Sequence, residues 1–403
     1  MVITFNNALF TLLIATIIFS FVFIYIDSLK KRNVKKLPFV SFLIPTYNDT
    51  KYVEKTIKHL HTSYDGKFEI IIINDKSKDN TLEVLKKLKK KYKFRIIDNK
   101  VNKGKAKSIN DAFSSAKGDI IFILDSDTIL NKTSVHDMIA RLESNDKVGG
   151  VSCCYRVKNR VSFWSIMQDL EYALLAFINA SYNTFSTVSF WGGCMAFKRK
   201  AFRDIGRLSP NFITEDMDAA LKLKEHGWKA EQSHFPVETF VPEDFTTWYK
   251  TKIRWSAGGM QCFIKHFKIY LRNPLLILFV LSITLLCFNL FYQLLGDWSL
   301  IKTLYTSIAD LRYLGSPLIQ ALIAVFASNS VVILGKLATA VIYPMFNLPY
   351  ILYDDDYRRK PLRLLWVFPY FIVYYPIFAF FSAWGFIVAI KRYKALEKGE
   401  RAW

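Results

Sequence analysis

Ile120-Ile121-Phe122-Ile123-Leu124-Asp125-Ser126-Asp127 decides how this chain is read. Five consecutive apolar residues, most of them β-branched, suit a strand buried on both faces. Two carboxylates one residue apart, where such a strand meets solvent, can grip a divalent cation. A cation there can neutralise a diphosphate.

The flanking segments repeat the strand theme with helices between. Val40-Ser41-Phe42-Leu43-Ile44 reads as a strand ending at Pro45, and 50–60 has helical spacing through Val53, Ile57 and Leu60. A strand over 68–74, a basic amphipathic helix over 81–92, a strand over 95–98 and a helix over 105–116 follow. Strands alternating with helices from about 38 to 245 predict an α/β domain with a mostly parallel sheet. Ligands of such sheets bind beyond the strands' C-terminal ends, where Pro45, Asp75 and Asp125 fall.

The 403 residues leave room for membrane segments beside that domain. Residues 3–26 carry no charge, and Lys30-Lys31-Arg32 with Lys35-Lys36 follow directly. A basic flank on that side, with no small-residue cleavage site, predicts a membrane anchor over 1–29 rather than a removable signal, its C-terminal end in the cytosol. Residues 246–272 are basic and aromatic and read as an interfacial amphipathic helix. Three apolar runs, 273–296, 313–353 and 364–390, read as C-terminal membrane segments over 273–390, before a basic tail over 391–403. Three crossings would put that tail outside, against the positive-inside rule. Either one segment is re-entrant or 313–353 holds two short crossings.

A formal charge of +21 suits anionic headgroups and anionic substrates. Nucleic acid is not expected as a partner, given the long apolar spans and the lack of a nucleic-acid motif. The five cysteines are odd in number and lack metal-binding spacing, which argues against a disulfide framework or zinc site and fits a reducing cytosol.

Other junctions carry chemistry. Asp75 sits at a strand mouth and can accept the hydrogen bonds of a uracil or ribose. Gly104-Lys105 opens a helix where a lysine and free N–H groups suit a diphosphate. Thr214-Glu215-Asp216 precedes a helix over 217–226, where acidic residues favour the macrodipole and a general base would occupy the same geometry. Arg254-Trp255 pairs a cation with an aromatic face, a clamp for diphosphate and sugar.

In order, Pro45-Thr46-Tyr47-Asn48, Asn74-Asp75 with Asp79, Gly104-Lys105-Ala106, Asp125-x-Asp127, Gly192-Gly193, Thr214-Glu215-Asp216 and Arg254-Trp255 resemble the family-2 glycosyltransferases of GT-A fold. The likeness covers roughly 38–260 and is strongest to the poly-β-1,6-N-acetylglucosamine synthases. It implies a membrane-bound, inverting hexosyltransferase acting from a UDP-sugar donor, best guess N-acetylglucosamine, to a growing extracellular polysaccharide. By position, the resemblance implies that Thr46, Tyr47 and Asp75 hold the uridine, Asp125 the ribose, and Asp127 a Mg²⁺ or Mn²⁺ ion. Lys105 and Arg254 meet the diphosphate, Gly192, Gly193, Cys194 and Trp255 meet the acceptor, and Asp216, beside Glu215, is the base. An accessory membrane subunit is a possible further partner. Two departures stand out: Thr251 where the family carries Gln or Arg, and Gly192 where Ser or Thr is common. Both favour the alternative of a single-addition enzyme using a lipid-linked acceptor. A silent membrane scaffold of the same fold is the alternative from another class.

Overall fold

The computed structural model describes residues 18–32, 34, 36–187, 189–272 and 359–397. Cα packing divides the chain into two compact units. The described part of the first comprises 359–380. It holds a 3₁₀ segment, Pro361–Trp366, a helical turn, Val367–Pro369, and a π-helical turn, Tyr370–Tyr374, in which Tyr370 and Tyr374 stack at 5.3 Å.

The second unit, with described residues 18–272 and 381–397, contains a seven-stranded sheet. Its strands are β1 (Val40–Thr46), β2 (Phe68–Asn74), β3 (Arg95–Asp98), β4 (Ile120–Leu124), β5 (Val148–Val157), β6 (Cys194–Lys198) and β7 (Lys229–Thr239), in the order β3-β2-β1-β4-β6-β5-β7. β3, β2, β1 and β4 run parallel, as do β5 and β7, while β6 runs antiparallel to both β4 and β5. The sheet is thus mixed but mostly parallel. β1 extends through Pro45 to Thr46 instead of ending at the proline, because the ladder to β2 continues to Thr46 opposite Asn74.

Why the strand runs lack alternation is visible in the packing. Phe42, Ile44, Ile70, Ile72, Ile120 and Phe122 join one core. Their neighbours Leu43, Ile71, Ile73, Ile121 and Ile123 join the core on the other face. Both faces are covered by helices, as parallel sheets require. α1 (Val53–Ser63) and α4 (Lys132–Ser144) serve the first core, and α3 (Lys105–Phe113), α6 (Arg199–Asp204) and α7 (Glu215–Glu225) the second. α2 (Thr81–Leu88) ends earlier than its basic periodicity predicts. After Leu88, Lys89, Lys90 and Lys91 are exposed, and the chain leaves the helix in a turn before Tyr92 packs against the core.

β1 lies between β2 and β4, so the chain reverses its direction of winding there. That switch opens a crevice beyond the C-terminal ends of β1 and β4. The Asp125-Ser126-Asp127 turn sits at its edge.

α5 (Phe163–Ser181) packs with the helical residues 18–28 through Phe21 and Phe177, 5.1 Å apart. The fully buried Asp27 fixes that helix. Its carboxylate accepts from Lys30 (2.9 Å), Arg32 (2.6 Å), Arg141 (2.9 Å) and Asn183 (3.1 Å). A buried charge survives only with such pairing.

The basic aromatic segment forms α8 (Phe245–Lys265) and, after a break at His266, α9 (Phe267–Leu271). Trp248, Lys252, Ala257, Gly258, Gln261 and Cys262 of α8 are buried. The final helix, α10 (Tyr375–Glu397), brings Phe381 within 5.1 Å of Tyr249 and seats Gly385 against Ile253 and Ser256. Among the described residues, no helix is long and apolar enough to cross a membrane. Residues 1–17 of the expected anchor, 273–358 of the expected C-terminal segments and 398–403 of the tail lie outside the described residues.

Candidate active site

At the end of β4, Asp125 N–H donates to Gly193 O (2.9 Å) and Thr128 N–H returns to Asp125 O (3.1 Å), closing the acidic turn. Thr56 of α1 donates to Ser126 O at 2.7 Å and pins the turn's centre. Because Leu124 pairs with Cys194 across the sheet, the residues before β6, Gly192 and Gly193, are brought beside Asp125.

Those two glycines span the site. A Cβ on Gly192 would lie 2.7 Å from Asp216 Oδ2, and one on Gly193 would lie 3.2 Å from Asp125 Oδ2. A side chain at Gly192 would have to displace the Asp216 carboxylate, and one at Gly193 the Tyr155 hydroxyl.

Lys105, at the start of α3, fills the centre. Its Nζ lies 2.7 Å from Asp125 Oδ1 and 3.2 Å from Glu215 Oε1, and donates to Gly192 O at 2.9 Å. Gly104 permits the approach: its φ of +81° lets the chain turn sharply into the helix. Burial works against a charged lysine, but Asp125 and Glu215 outweigh it and hold the ammonium well above its usual range.

The carboxylates respond in the opposite sense. Burial, then the charges of Asp125 and Asp49, push the Asp127 carboxyl up to about 7. Burial and the neighbouring Glu215 push Asp216 up to about 7 as well. Asp216 Oδ1 accepts from Met217 N–H at 2.8 Å, which orients it at the start of α7.

Asp75 is 4% exposed and its oxygens are already engaged. Oδ1 accepts from Asn99 (2.9 Å) and Lys103 N–H (2.9 Å), and Oδ2 accepts from Gly104 N–H (2.7 Å). Burial would raise this carboxyl, but the donors win and hold it below its usual range. Asp75 therefore shapes the loop that delivers Lys105. Thr46 is buried and donates to Ile73 O (3.1 Å), whereas Tyr47 at the same strand end is exposed. Cys194 departs from its expected place: the side chain is fully buried with its thiol 4.0 Å from Met138, leaving only its backbone toward the glycines.

Trp255 is half-buried, stacked at 6.3 Å on Tyr172. The Lys252 ammonium lies over its ring at 4.3 Å and bonds Glu171 at 2.8 Å. Arg254 is exposed and makes no ion pair with the described residues. Thr251, at the departed motif position, turns its hydroxyl back to Thr247 O at 2.8 Å.

The donor set fits a hard divalent cation. Asp125 and Asp127 offer carboxylate oxygens, and Asp49 Oδ2 is buried without a hydrogen-bond partner. Among the described residues no group of three or more His, Cys, Asp or Glu side chains is placed to hold a metal ion by itself. Magnesium-type sites commonly use one or two carboxylates and leave the remaining positions to substrate phosphates and water.

Reasoning along the chain missed Asp49, Lys252 and the pairing of Lys105 with Glu215. Asp49 follows the Pro45-Thr46-Tyr47-Asn48 motif directly and was the most accessible of these signals.

A winding switch, an acidic turn and a glycine pair facing a helix-borne carboxylate define a GT-A-type fold. Residues 41–206 match the family described as Glycosyl transferase family 2. That stretch of the chain is thus similar to a family-2 glycosyltransferase domain. It is 32% identical over 246 residues to a poly-beta-1,6-N-acetyl-D-glucosamine synthase of Staphylococcus aureus (strain COL), covering 60% of each. It is 30% identical over 258 residues to the Staphylococcus epidermidis protein of that name, covering 63% of this chain and 62% of that one. The match thus spans about 60% of the length of these curated relatives. A mannosyltransferase from Pyrobaculum calidifontis, solved in complex with GDP-Man and Mn²⁺, shares the fold with a TM-score of 0.53 and 18% identity, over 90% of this chain and 96% of that one.

Proposed function

We propose that this chain transfers a sugar, N-acetylglucosamine, from a UDP-sugar to a growing extracellular polysaccharide, with inversion at the anomeric carbon. The observation that carries this reading is the glycine pair between Asp216 and Asp125, ringed with Lys105. Around it a base, a cation-binding turn and a lysine converge.

In this reading Asp216 takes the proton of an acceptor hydroxyl as its oxygen bonds to the anomeric carbon. The bond from that carbon to the diphosphate breaks in the same displacement, and UDP leaves. Base catalysis of this kind contributes about 10²–10⁴ in rate. Lys105 and Arg254 meet the departing diphosphate, and Trp255 stacks on the acceptor sugar. Mg²⁺ or Mn²⁺ held by Asp127 would supply charge neutralisation at the diphosphate. Thr46, Tyr47 and Asp75 serve the uridine, directly or through the loop they order, and Asp125 the ribose. The domain works at the cytoplasmic face of the cell membrane, held by the apolar segments as a multi-pass protein, with an accessory membrane subunit as a further partner.

A second reading is single addition to a lipid-linked acceptor. It is favoured by Thr251, whose short side chain is satisfied within its own helix where a longer Gln would reach out. Incubating membranes containing the full chain with labelled UDP-sugars and Mg²⁺ or Mn²⁺ tests both. A polymer ladder from UDP-N-acetylglucosamine supports the first, and one added residue supports the second. No transfer from any UDP-sugar rejects both in favour of a scaffold.

A further inference from the structure

Three oxygens converge on one point over Gly193. A Cβ placed there would collide with the Tyr155 hydroxyl and lie 3.1 Å from Thr128 Oγ1 and 3.2 Å from Asp125 Oδ2. Thr128 is fully buried and Tyr155 is 8% exposed. Neither hydroxyl has a hydrogen-bond partner among the described residues. The Cys153 thiol beside Tyr155 is a weak partner. Buried hydroxyls left unpaired are costly, and a fold that keeps two of them at one point calls for an explanation.

The surroundings indicate what would pair them. Gly193 is half-exposed while the two hydroxyl oxygens behind it are shielded from solvent, so a ligand group would reach them only from the Gly193 side. Tyr155 meets Trp191 edge-on at 5.0 Å, Trp191 meets Tyr172 at 5.1 Å, and Tyr172 stacks on Trp255 at 6.3 Å. A run of rings therefore leads from Trp255 to two waiting hydroxyls beside Asp125. Aromatic faces suit the C–H face of a pyranose, and a donor–acceptor pair at their end suits a single hydroxyl of it.

We propose that Tyr155 and Thr128 form a subsite for one sugar hydroxyl, held against Gly193, and that Tyr155 determines sugar specificity. The proposal rests on the glycosyl-transfer reading. The hydroxyl comes from either the transferred or the accepting sugar, and both present the same chemistry.

The test uses the full chain in detergent, with Tyr155→Phe and Thr128→Val, each of which removes the hydroxyl and keeps the bulk. Without substrate, Tyr155→Phe should melt at the same temperature as wild type or higher, because it deletes an unpaired group. A lower Tm would mean that the hydroxyl is satisfied within the fold and would overturn the proposal. With substrates, each variant should raise one KM about five- to tenfold, the loss of one hydrogen bond. The KM for UDP-N-acetylglucosamine rises if the donor supplies the hydroxyl; that for N-acetylglucosamine oligosaccharides rises if the acceptor does. Inhibition by UDP alone should not change. Unchanged KM values, or an equal weakening of UDP, overturn the subsite. If wild type transfers nothing, the functional reading fails separately. The subsite then survives only if UDP-N-acetylglucosamine or the oligosaccharide raises the Tm of wild type more than that of Tyr155→Phe, and it falls otherwise.

Discussion

Lys105 Nζ sits 2.7 Å from Asp125 Oδ1, tying the start of α3 to the acidic turn after β4. The same ammonium reaches Glu215 at 3.2 Å, so one side chain links the acidic turn to the helix that bears Asp216. Lys105→Met would leave Asp125, Asp127, Glu215 and Asp216 facing one another with that compensating charge gone. Transfer should fall by about 10²–10³ in kcat, the usual cost of deleting a charge-stabilising donor. Steady-state kinetics on membranes carrying the variant would check it, and an effect under threefold would reject the central role.

Asp216 gives a pH signature. Burial and Glu215 push its carboxyl up to about 7, so the ionised base accumulates only as pH rises through that value. Transfer should climb from pH 6 to 8 with an apparent midpoint near 7, and Asp216→Asn should lose about 10²–10⁴ in rate. The stability sign runs the other way. The folded state holds this proton above the unfolded carboxylate's pKa, so folding stability falls as pH rises between the two values. Asp216→Asn should therefore melt higher than wild type at pH 7.5. A variant that keeps full rate would exclude Asp216 as the base.

Removing divalent ions should silence the proposed transfer reversibly. After chelation, transfer is expected to vanish and to return with Mg²⁺ or Mn²⁺. Asp127→Asn should require a higher metal concentration for half-maximal rate, because one carboxylate oxygen of the donor set is lost. The carboxyl that burial and the charges of Asp125 and Asp49 push up to about 7 should also bind metal more weakly below that pH. Full activity in chelator would contradict the assignment.

Much of this architecture was legible in the chain. The runs 68–74 and 120–124 matched observed strands because burial on both faces makes a strand's composition unmistakable over five to seven residues, while 95–98 matched as a short edge strand exposed at both ends. The antiparallel β6 was not legible, since Cys194–Lys198 acquires its direction only by pairing with β4 and β5. The motifs pointed to Asp125, Asp127, Gly192, Gly193 and Asp216, and the fold sets Gly192 beside Asp216 and Gly193 beside Asp125. They did not reveal that Asp75 is saturated by backbone donors or that the Cys194 thiol points into the core. Side-chain direction at a strand end depends on register, and register is a long-range property. Asp27 was hidden for a similar reason: its partners Arg141 and Asn183 are distant in sequence.

His266 should make the packing of α8 on α7 pH-sensitive. Its Nδ1 lies 2.8 Å from Glu225 Oε1 and its Nε2 lies 2.9 Å from Asp218 Oδ1. With a carboxylate at each nitrogen, both must donate, so the ring is an imidazolium. Burial disfavours that charge, but the bonds to Asp218 and Glu225 outweigh it and raise the pKa. Lys222, 3.8 Å from Asp218, and Ser209, bonded to Asp218 at 2.6 Å, complete the surroundings. A raised folded pKa contributes stability that is complete below about 6.5 and is lost as pH rises through the folded value. Melting temperature should fall over that window in wild type and fall less in His266→Asn. Parallel curves for the two proteins would rule out the coupling.

The Lys252–Glu171 pair tests whether Trp255, the proposed acceptor aromatic, is held by charge or by packing. Lys252 is fully buried, 2.8 Å from Glu171, with its ammonium 4.3 Å from the Trp255 ring centre. Lys252→Met leaves the Glu171 carboxylate without this partner in a buried setting, and should cost about 3 kcal/mol, the lower end for breaking a buried pair. Adding Glu171→Gln removes that buried charge and should restore most of that stability, measured by denaturant unfolding. The double variant still lacks the cation over Trp255. If that contact helps to fix the indole for stacking, acceptor KM should rise severalfold while UDP inhibition is unchanged, because a cation–π contact contributes about 1–2 kcal/mol when desolvated. If the double variant instead recovers both stability and acceptor KM, packing against Tyr172 alone holds Trp255, and the ion pair serves only to satisfy two buried charges.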